Sequence, residues 1–529
     1  MRWANLATMP SPANPKSGHI NPWIIAITVM LSTFMEVLDT TVVNVSLPHI
    51  AGSLSATVDE ATWALTSYLV ANAVVLPITG WLASIFGRKR LLIMAVSGFT
   101  TTSFLCGLAP NLPMLIVFRI LQGACGGALQ PISQAVLLES FPRESRGKAM
   151  AFWGLGIVVA PMLGPVLGGW LTDSYSWRWV FYINVPVGIA SLVMTELFII
   201  DPSYIRRVSQ RIDYWGIGML ALGVASLQIV LDKGQEADWF SSHWIAGLAI
   251  VSIVALAALV IYELNVGHPV LDLRVFRLRT YSTGVFLMAI LGVVLYGSLV
   301  MLPIMLQTLL GYTALQAGMA MFPRGLGSFV TMPIVGAIMT RYDPRKLLVI
   351  GIFACVFSLL ILGTMSLNVG FWNIFWPQLL QGSSLAFLFV PLTTLTMDAI
   401  PRETMGNATS IFNLMRNLGA SIGIATVTTL VARNQQADTS TLGGHISAGS
   451  PRAQYSLEML RRMFVSQGAD SATATRRAYA AMFAMVQRQA GMLAFNHTYL
   501  LLAVLFVLMV PLVALMRRPS SAGGKVVVH

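Results

Sequence analysis

Residues 34–48, FMEVLDTTVVNVSLP, follow directly on the apolar run WIIAITVMLST (23–33), and the two together read as one greasy helix. That helix carries two carboxylates, Glu36 and Asp39, three residues apart. An ionisable group at the centre of a bilayer costs at least about 2.5 kcal/mol on the most lenient insertion scale. Residues of this kind face a bundle interior or a water-filled path and by default mark a route for ions or solutes. The plainer reading is a static pair with a neighbouring cation, which by itself is weak evidence for stability.

The rest of the chain sets that helix in context. Of 529 residues, 56% are hydrophobic and only 10% are charged. Soluble domains carry roughly 25% charged residues, so the composition excludes a water-soluble globule. Many apolar runs reach the ~20 residues that a membrane-crossing helix needs. They do not alternate as the strands of a membrane barrel do. The net charge of +12 points to membrane orientation rather than nucleic acid, because most Lys and Arg fall in short loops between apolar runs. Cys106, Cys125 and Cys355 lie in apolar runs without metal-ligand spacing and read as small packing residues. Residues 1–21 lack the apolar core of a signal peptide and read as a cytoplasmic tail.

The predicted spans are 22–46, 61–83, 90–109, 113–139, 147–171, 180–200, 214–231, 244–263, 283–310, 315–339, 346–366, 372–398, 406–432 and 493–515. With the N-terminus inside, the inside segments hold twenty-one Lys and Arg, while the short outside loops hold only Arg178 and Lys233. Seven more lie in the long segment 433–492, which the positive-inside rule does not count. Arg119, Arg324 and Arg416 lie within spans, which completes the 33. An odd number of spans would destroy this asymmetry, so both termini are expected to be cytoplasmic.

A parallel internal repeat organises the spans. RILQG (119–123) matches QLLQG (378–382), and PRESRGKA (142–149) matches PRETMGNA (401–408), both at an offset of 259. GWLASIFGRKR (80–90) aligns with GAIMTRYDPRK (336–346) at an offset of 256. The simplest parse is an all-α membrane protein of two six-helix bundles, 22–200 and 282–515, with two inserted helices in 201–281 and tails at 1–21 and 516–529. Parallel six-helix halves around a central pathway are the plan of major facilitator transporters.

At this point the chain resembles a known family. LDTTVVNVSLP (38–48), GWLASIFGRKR (80–90), RILQG (119–123), APMLGPVLGG (160–169), SWRWVFYINVPVG (176–188) and FPRGLG (322–327) are similar to motifs of the fourteen-helix drug:proton antiporters of the major facilitator superfamily, the EmrB/QacA type. The likeness covers residues 20–518. It implies a multidrug efflux antiporter of the bacterial inner membrane, energised by the proton gradient without a cofactor or metal. It also implies a drug-like small-molecule substrate, and a periplasmic adaptor with an outer-membrane channel as partners in a tripartite pump.

Each motif has a physical reading beside the implied one. Gly80, Gly87, Arg88, Lys89 and Arg90 place a turn and three cations on an inside loop, which serves topology. The resemblance adds a grip on the other half. The family usually has an acidic residue at the position of Ser84, and Asp343 is the candidate replacement. Gly156, Pro161, Gly164, Pro165, Gly168 and Gly169 line the fifth span, where small residues allow close packing and prolines bend the helix. In the repeat Pro165 becomes Ile424, so the Gly-Pro is special to the first half. The resemblance makes it a mark of exporters that exchange against protons.

Counting 1.5 Å per residue puts Glu36 roughly 21 Å and Asp39 roughly 25 Å along the first span, and Arg119 about 9 Å into the oppositely directed fourth. Asp39 and Arg119 therefore lie at similar depth. Arg stays charged at physiological pH, and a carboxylate beside it stays ionised and is a poor proton carrier. Asp39 with Arg119 then forms either a coupled charge switch or a fixed pair. Glu36, with no obvious cation, is the leading proton or substrate-cation site. Asn413, Arg416, Asn417 and Ala420 share one stripe of the thirteenth span, where Arg416 either meets an acidic group or anionic substrate or acts as a hydrogen-bond hub. Met35, Thr40, Thr41, Asn44, Tyr68 and Gln122 complete the candidate cavity, and Arg324, after Pro323, reads as structural. The interval 473–491 spaces Tyr479, Met482, Phe483 and Val486 as an amphipathic helix, for the outer membrane surface or a partner helix.

The leading function is thus proton-coupled export of small hydrophobic or amphipathic compounds by alternating access. The alternatives are a proton-linked importer and a dedicated exporter of one siderophore, fatty acid or organic acid. A membrane-embedded enzyme is disfavoured, because no nucleophile, acid/base pair or metal cluster gathers and the seven histidines are scattered.

Overall fold

The structure is a computed structural model that describes residues 21–201, 213–267, 269–339, 341–398, 400–446 and 450–516. Nearly all of the expected tails, together with Arg206, Arg207, Arg211 and Thr340, lie outside the described residues. Fourteen helices are long and apolar enough to cross a membrane. The first six are α1 (Pro22–Ser53), α2 (Val58–Phe86), α3 (Arg88–Leu108), α4 (Leu112–Ser140), α5 (Arg143–Ser174) and α6 (Trp179–Phe198). The inserted pair is α7 (Tyr214–Lys233) and α8 (His243–Asn265). The second six are α9 (Arg279–Thr308), α10 (Leu315–Ile338), α11 (Pro344–Leu362), α12 (Phe371–Asp398), α13 (Met405–His445) and α14 (Ser471–Ala514). No strand occurs among the described residues.

Helix ends follow local chemistry. Asn21 accepts from the Trp23 amide at the start of α1, with Pro22 as its first residue, where a missing N–H costs nothing. Gly87 separates α2 from α3 with φ +83°, a conformation that favours glycine. The fourth span is interrupted: Gly126 ends its outer piece, and its inner piece resumes at Leu129.

The two halves meet along four seams. α10 packs on α5, α13 on α2 and on the inner piece of α4, and α12 on α5. α7 lies in the groove between α2 and α13 and contacts both, whereas α8 packs mainly on α7. Gln228 of α7 bonds Ser421 of α13 at 2.9 Å, and Lys233 bonds Thr62 at the start of α2 at 2.5 Å. Of the inserted pair, α7 therefore bridges the two halves, with α8 on its far side.

One expectation is overturned. The segment 433–492 is not a loop, and 473–491 is not a separate surface helix. α13 continues unbroken to His445, and α14 begins at Ser471. Between them stands a third helix, Pro451–Ser466, packed on α14. At 1.5 Å per residue the 41 residues of α13 extend roughly 60 Å, about twice the hydrocarbon thickness. A rigid helix whose continuation crosses the bilayer cannot also lie flat on it. The hydrophobic period was real, but its buried face is small, Ala474, Ala478 and Ala490, while Tyr479 and Phe483 are exposed.

Candidate functional site

Asp39 and Arg119 are both fully buried and form an ion pair at 2.6 Å. Asp39 also accepts from Gln122 Nε2 at 3.0 Å and from Asn184 Nδ2 at 2.7 Å. The Arg119 guanidinium donates to the Gln122 side chain at 2.8 Å and to the Ala64 carbonyl at 2.9 Å. It lies 4.1 Å from the Tyr68 ring centroid. Every partner belongs to the first half, and the set is electrically neutral. Gln122 and Tyr68, expected in the cavity, are buried members of this cluster instead, because the carboxylate and guanidinium demand more hydrogen bonds than they give each other. Met35 is likewise core and not cavity lining.

Glu36, one turn earlier on the same helix, has a different setting. Its carboxylate accepts from Asn72 Nδ2 of α2 at 3.1 Å and from Gln130 Nε2 of the inner piece of α4. Gln130 Oε1 in turn accepts from Arg416 of α13, in the opposite half. The expectation that Glu36 has no cation is corrected: one stands a single side chain away. The α13 stripe is a ladder across the halves. Thr409 donates to the Pro131 carbonyl at 3.2 Å, Asn413 to Gln134 at 2.5 Å, and Asn417 to Asn72 at 3.4 Å. Asn413 and Asn417 thus hold the seam rather than line an open cavity. Among the described residues Arg416, 3% exposed, has no partner at Nε or Nη1.

Arg416 also lines a small apolar cavity between the halves. Gly154, Ile157 and Val158 of α5 line it on one side. Met288, Leu291, Gly292, Leu295 and Tyr296 of α9 and Leu385 and Phe389 of α12 line it on the other, with Arg416 its one charged residue. Thr40 and Asn44 lie further along α1, where Asn44 is exposed.

The α5 glycines bind that helix to α1. A Cβ at Gly156 would meet Met30 Cγ at 2.9 Å, one at Gly168 would meet the Val42 carbonyl at 2.8 Å, and one at Gly164 would run into Thr41. Gly169 meets nothing within 4 Å and takes no part in this packing. Pro161 and Pro165 sit inside an unbroken helix.

At the end of the molecule that carries the Gly87 turn, the halves are sealed. A Cβ at Gly80 would meet the Asn407 backbone at 2.6–2.7 Å, and the Gly80 amide donates to Ser410 Oγ at 3.0 Å. Arg143 faces Asp398 of the other half at 3.8 Å. The three cations of the turn do not make this grip. Arg88 is buried against Glu139 of α4, and Lys89 donates to the Glu196 carbonyl of α6 at 2.6 Å, while Arg90 is exposed. Arg88 and Lys89 thus engage residues of the first half. Asp343 caps α11 and pairs with Arg345 at 3.2 Å.

Asn72, Gln130, Gln134 and Asn184 were missed in the sequence. The i, i+4 spacing of Gln130 and Gln134 in an apolar run was the available signal, since it puts two amides on one helix face.

Residues 29–424 match the family model described as Major Facilitator Superfamily. The chain is 40% identical over 451 residues to "Multidrug export protein EmrB" of Haemophilus influenzae, covering 85% of this chain and 88% of that protein. It is 36% identical over 502 residues to the protein of the same name in Escherichia coli K12, covering 95% and 96%. It is 35% identical over 512 residues to "Fatty acid resistance protein FarB" of Neisseria gonorrhoeae, covering 96% and 99%. Among solved structures, the human organic anion transporter MFSD10 (TETRAN) superposes with a TM-score of 0.58 at 14% identity, covering 92% of this chain and 99% of that one. The proton:xylose symporter XylE gives 0.57 at 16% identity, covering 94% and 99%. These two likenesses concern the fold alone.

Proposed function

The chain belongs to the Major Facilitator Superfamily, in its EmrB/QacA-type branch, and from that premise we propose that it exports small hydrophobic or amphipathic compounds in exchange for protons. It is a multi-pass membrane transporter and not an enzyme. Its place is the bacterial inner membrane, with both termini cytoplasmic and the Gly80 seal on the cytoplasmic side, and the proton gradient is its energy source. The relatives' names, multidrug export and fatty acid resistance, support this reading.

The observation that carries it is the position of Glu36, held by Asn72 and Gln130 at the seam, with Gln130 reaching Arg416 across it. An ionised Glu36 accepts both amides and leaves Gln130 Oε1 to Arg416. A protonated Glu36 has a hydrogen to donate and needs an acceptor. Rotation of the Gln130 amide supplies one and turns Nε2 toward Arg416, which then loses its acceptor. Proton uptake therefore loosens the tie between the halves, the step that alternating access requires. A cationic substrate that competes for the Glu36 carboxylate drives the proton off, which gives exchange.

The free Nε and Nη1 of Arg416 favour a second reading, export of one amphipathic acid. A substrate carboxylate there competes with Glu36 for the same cation, so binding takes a proton up. Proton exchange by detergent-purified protein on adding cationic, neutral and acidic compounds separates the two by sign. Release that Glu36→Gln abolishes and Asp39→Asn retains supports exchange at Glu36. Release that survives Glu36→Gln overturns it. The exposed Tyr455, Met459, Tyr479 and Phe483 on the helices outside the membrane offer an apolar face to a helical periplasmic adaptor. Through that adaptor the chain would join an outer-membrane channel in a tripartite pump.

A further inference from the structure

The two halves carry corresponding clusters whose charged groups differ. At the repeat offset of 259, Asp39 corresponds to Ser298, Arg119 to Gln378 and Gln122 to Gln381. At the offset of 256 for the second span, Tyr68 corresponds to Arg324. The contacts agree with this register. Gln122 Nε2 donates to Asp39, and Gln381 Nε2 donates to Ser298 Oγ at 3.1 Å. Gly123 packs on the Tyr68 carbonyl, and Gly382 packs on the Arg324 carbonyl. The cation has thus moved from the fourth span of the repeat to the second, and the carboxylate has become a hydroxyl.

The charge balance changes with it. Arg119 is neutralised by Asp39, but Arg324, 4% exposed, has no ion pair among the described residues. The ionisable groups that act on it among those residues are Cys355, Tyr499 and Tyr296, none of them a carboxylate. Its Nη2 donates to the Leu295 carbonyl at 3.2 Å and lies 3.4 Å from Ser298 Oγ. Among the described residues its Nη1 has no partner, and neither does the hydroxyl of the buried Tyr499. A guanidinium does not shed its proton at physiological pH, and a buried charge without a counter-ion is strongly unfavourable. Leu295 and Tyr296, beside it on α9, line the central cavity.

We propose that Arg324 Nη1 and the Tyr499 hydroxyl hold a small monovalent anionic group, a halide or the carboxylate of an acidic substrate, in the place that Asp39 occupies in the first half. The anion completes by binding the neutral cluster that the first half completes covalently. The site is separate from Glu36.

The test is the thermal midpoint of purified wild-type protein in sodium isethionate, whose anion is a sulfonate and neither a halide nor a carboxylate, titrated with sodium chloride or bromide at constant ionic strength, and separately with octanoate. A saturable rise of a few degrees is expected, as for any ligand that binds only the folded state. Arg324→Gln removes the cation and should abolish the response. Ser298→Asp restores the carboxylate of the first half, so it should be stable in isethionate and indifferent to added halide. A response to octanoate alone assigns the site to a substrate carboxylate, and a response to halide assigns it to an inorganic ion. A wild-type midpoint indifferent to both, or a full response retained in Ser298→Asp, overturns the site. Because the readout is stability and not transport, its failure leaves the exchange reading at Glu36 untouched.

Discussion

Asp39 and Glu36 stand on one helix, one turn apart and both buried, yet they belong to different machines. Asp39 is enclosed by Arg119, Gln122 and Asn184, all from its own half. None of those bonds crosses between the halves. Glu36 shares Gln130 with Arg416 of the other half, so its hydrogen bonds are part of the seam. In the exchange proposed above, the same residue class would act as a fastener in one place and a switch in the other, and which half supplies the partners would make the difference. The fixed-pair reading of Asp39 and Arg119 fits this geometry, and Glu36 is the proposed switch.

The largest effect should come from breaking the fastener. Arg119→Gln leaves the Asp39 charge buried without a cation, which costs about 3–5 kcal/mol, and the thermal midpoint in detergent should fall steeply. The double variant Asp39→Asn with Arg119→Gln should recover most of that loss. Recovery of none would mean that the charges act separately.

At the inner end of the ladder, Gly80→Val drives a side chain into the Asn407 backbone. Overpacking of about 1–3 kcal/mol acts against the sealed state alone, which shifts the sealed-to-open ratio roughly five- to hundredfold. Maleimide labelling of Thr409→Cys, buried in the seal, should accelerate accordingly; an unchanged rate would show that the seal does not open there.

Breaking the switch should matter less for stability. Glu36→Gln still accepts from an amide neighbour, so its midpoint should stay within about 1 kcal/mol of wild type, while proton release is lost. A stability loss as large as that of Arg119→Gln would erase the distinction between the two carboxylates. The smallest effect belongs to Gly169→Ala, within about 0.5 kcal/mol, because open space lies around it. Gly168→Ala next to it meets the Val42 carbonyl and should lower the midpoint measurably.

Much of this was legible in the chain. Apolar runs and loop cations gave fourteen spans, each inside or close to one of the fourteen long helices, because hydrocarbon thickness sets span length; only the last two helices run far beyond their spans. Simple rise per residue put Asp39 and Arg119 at one depth, and the pair is there. What escaped were neutral amides. Gln130, Gln134 and Asn72 carry no charge, so nothing marks them in an apolar run until a partner from the other half is in place. The partner of Arg88, Glu139, escaped as well. The outer part of α14 was misjudged because an exposed amphipathic pattern has the same period whether its helix lies on a surface or stands off it.

The length of α13 has a mechanical consequence. Its inner part bears the rungs Thr409, Asn413, Arg416 and Asn417, and its far end rises, without a break, into the three-helix stalk. A lever roughly 60 Å long that is gripped near one end converts a small rocking of the rungs into a much larger sweep of the tip. In the proposed exchange cycle, whatever rests on the stalk would be moved once with every cycle of the seam.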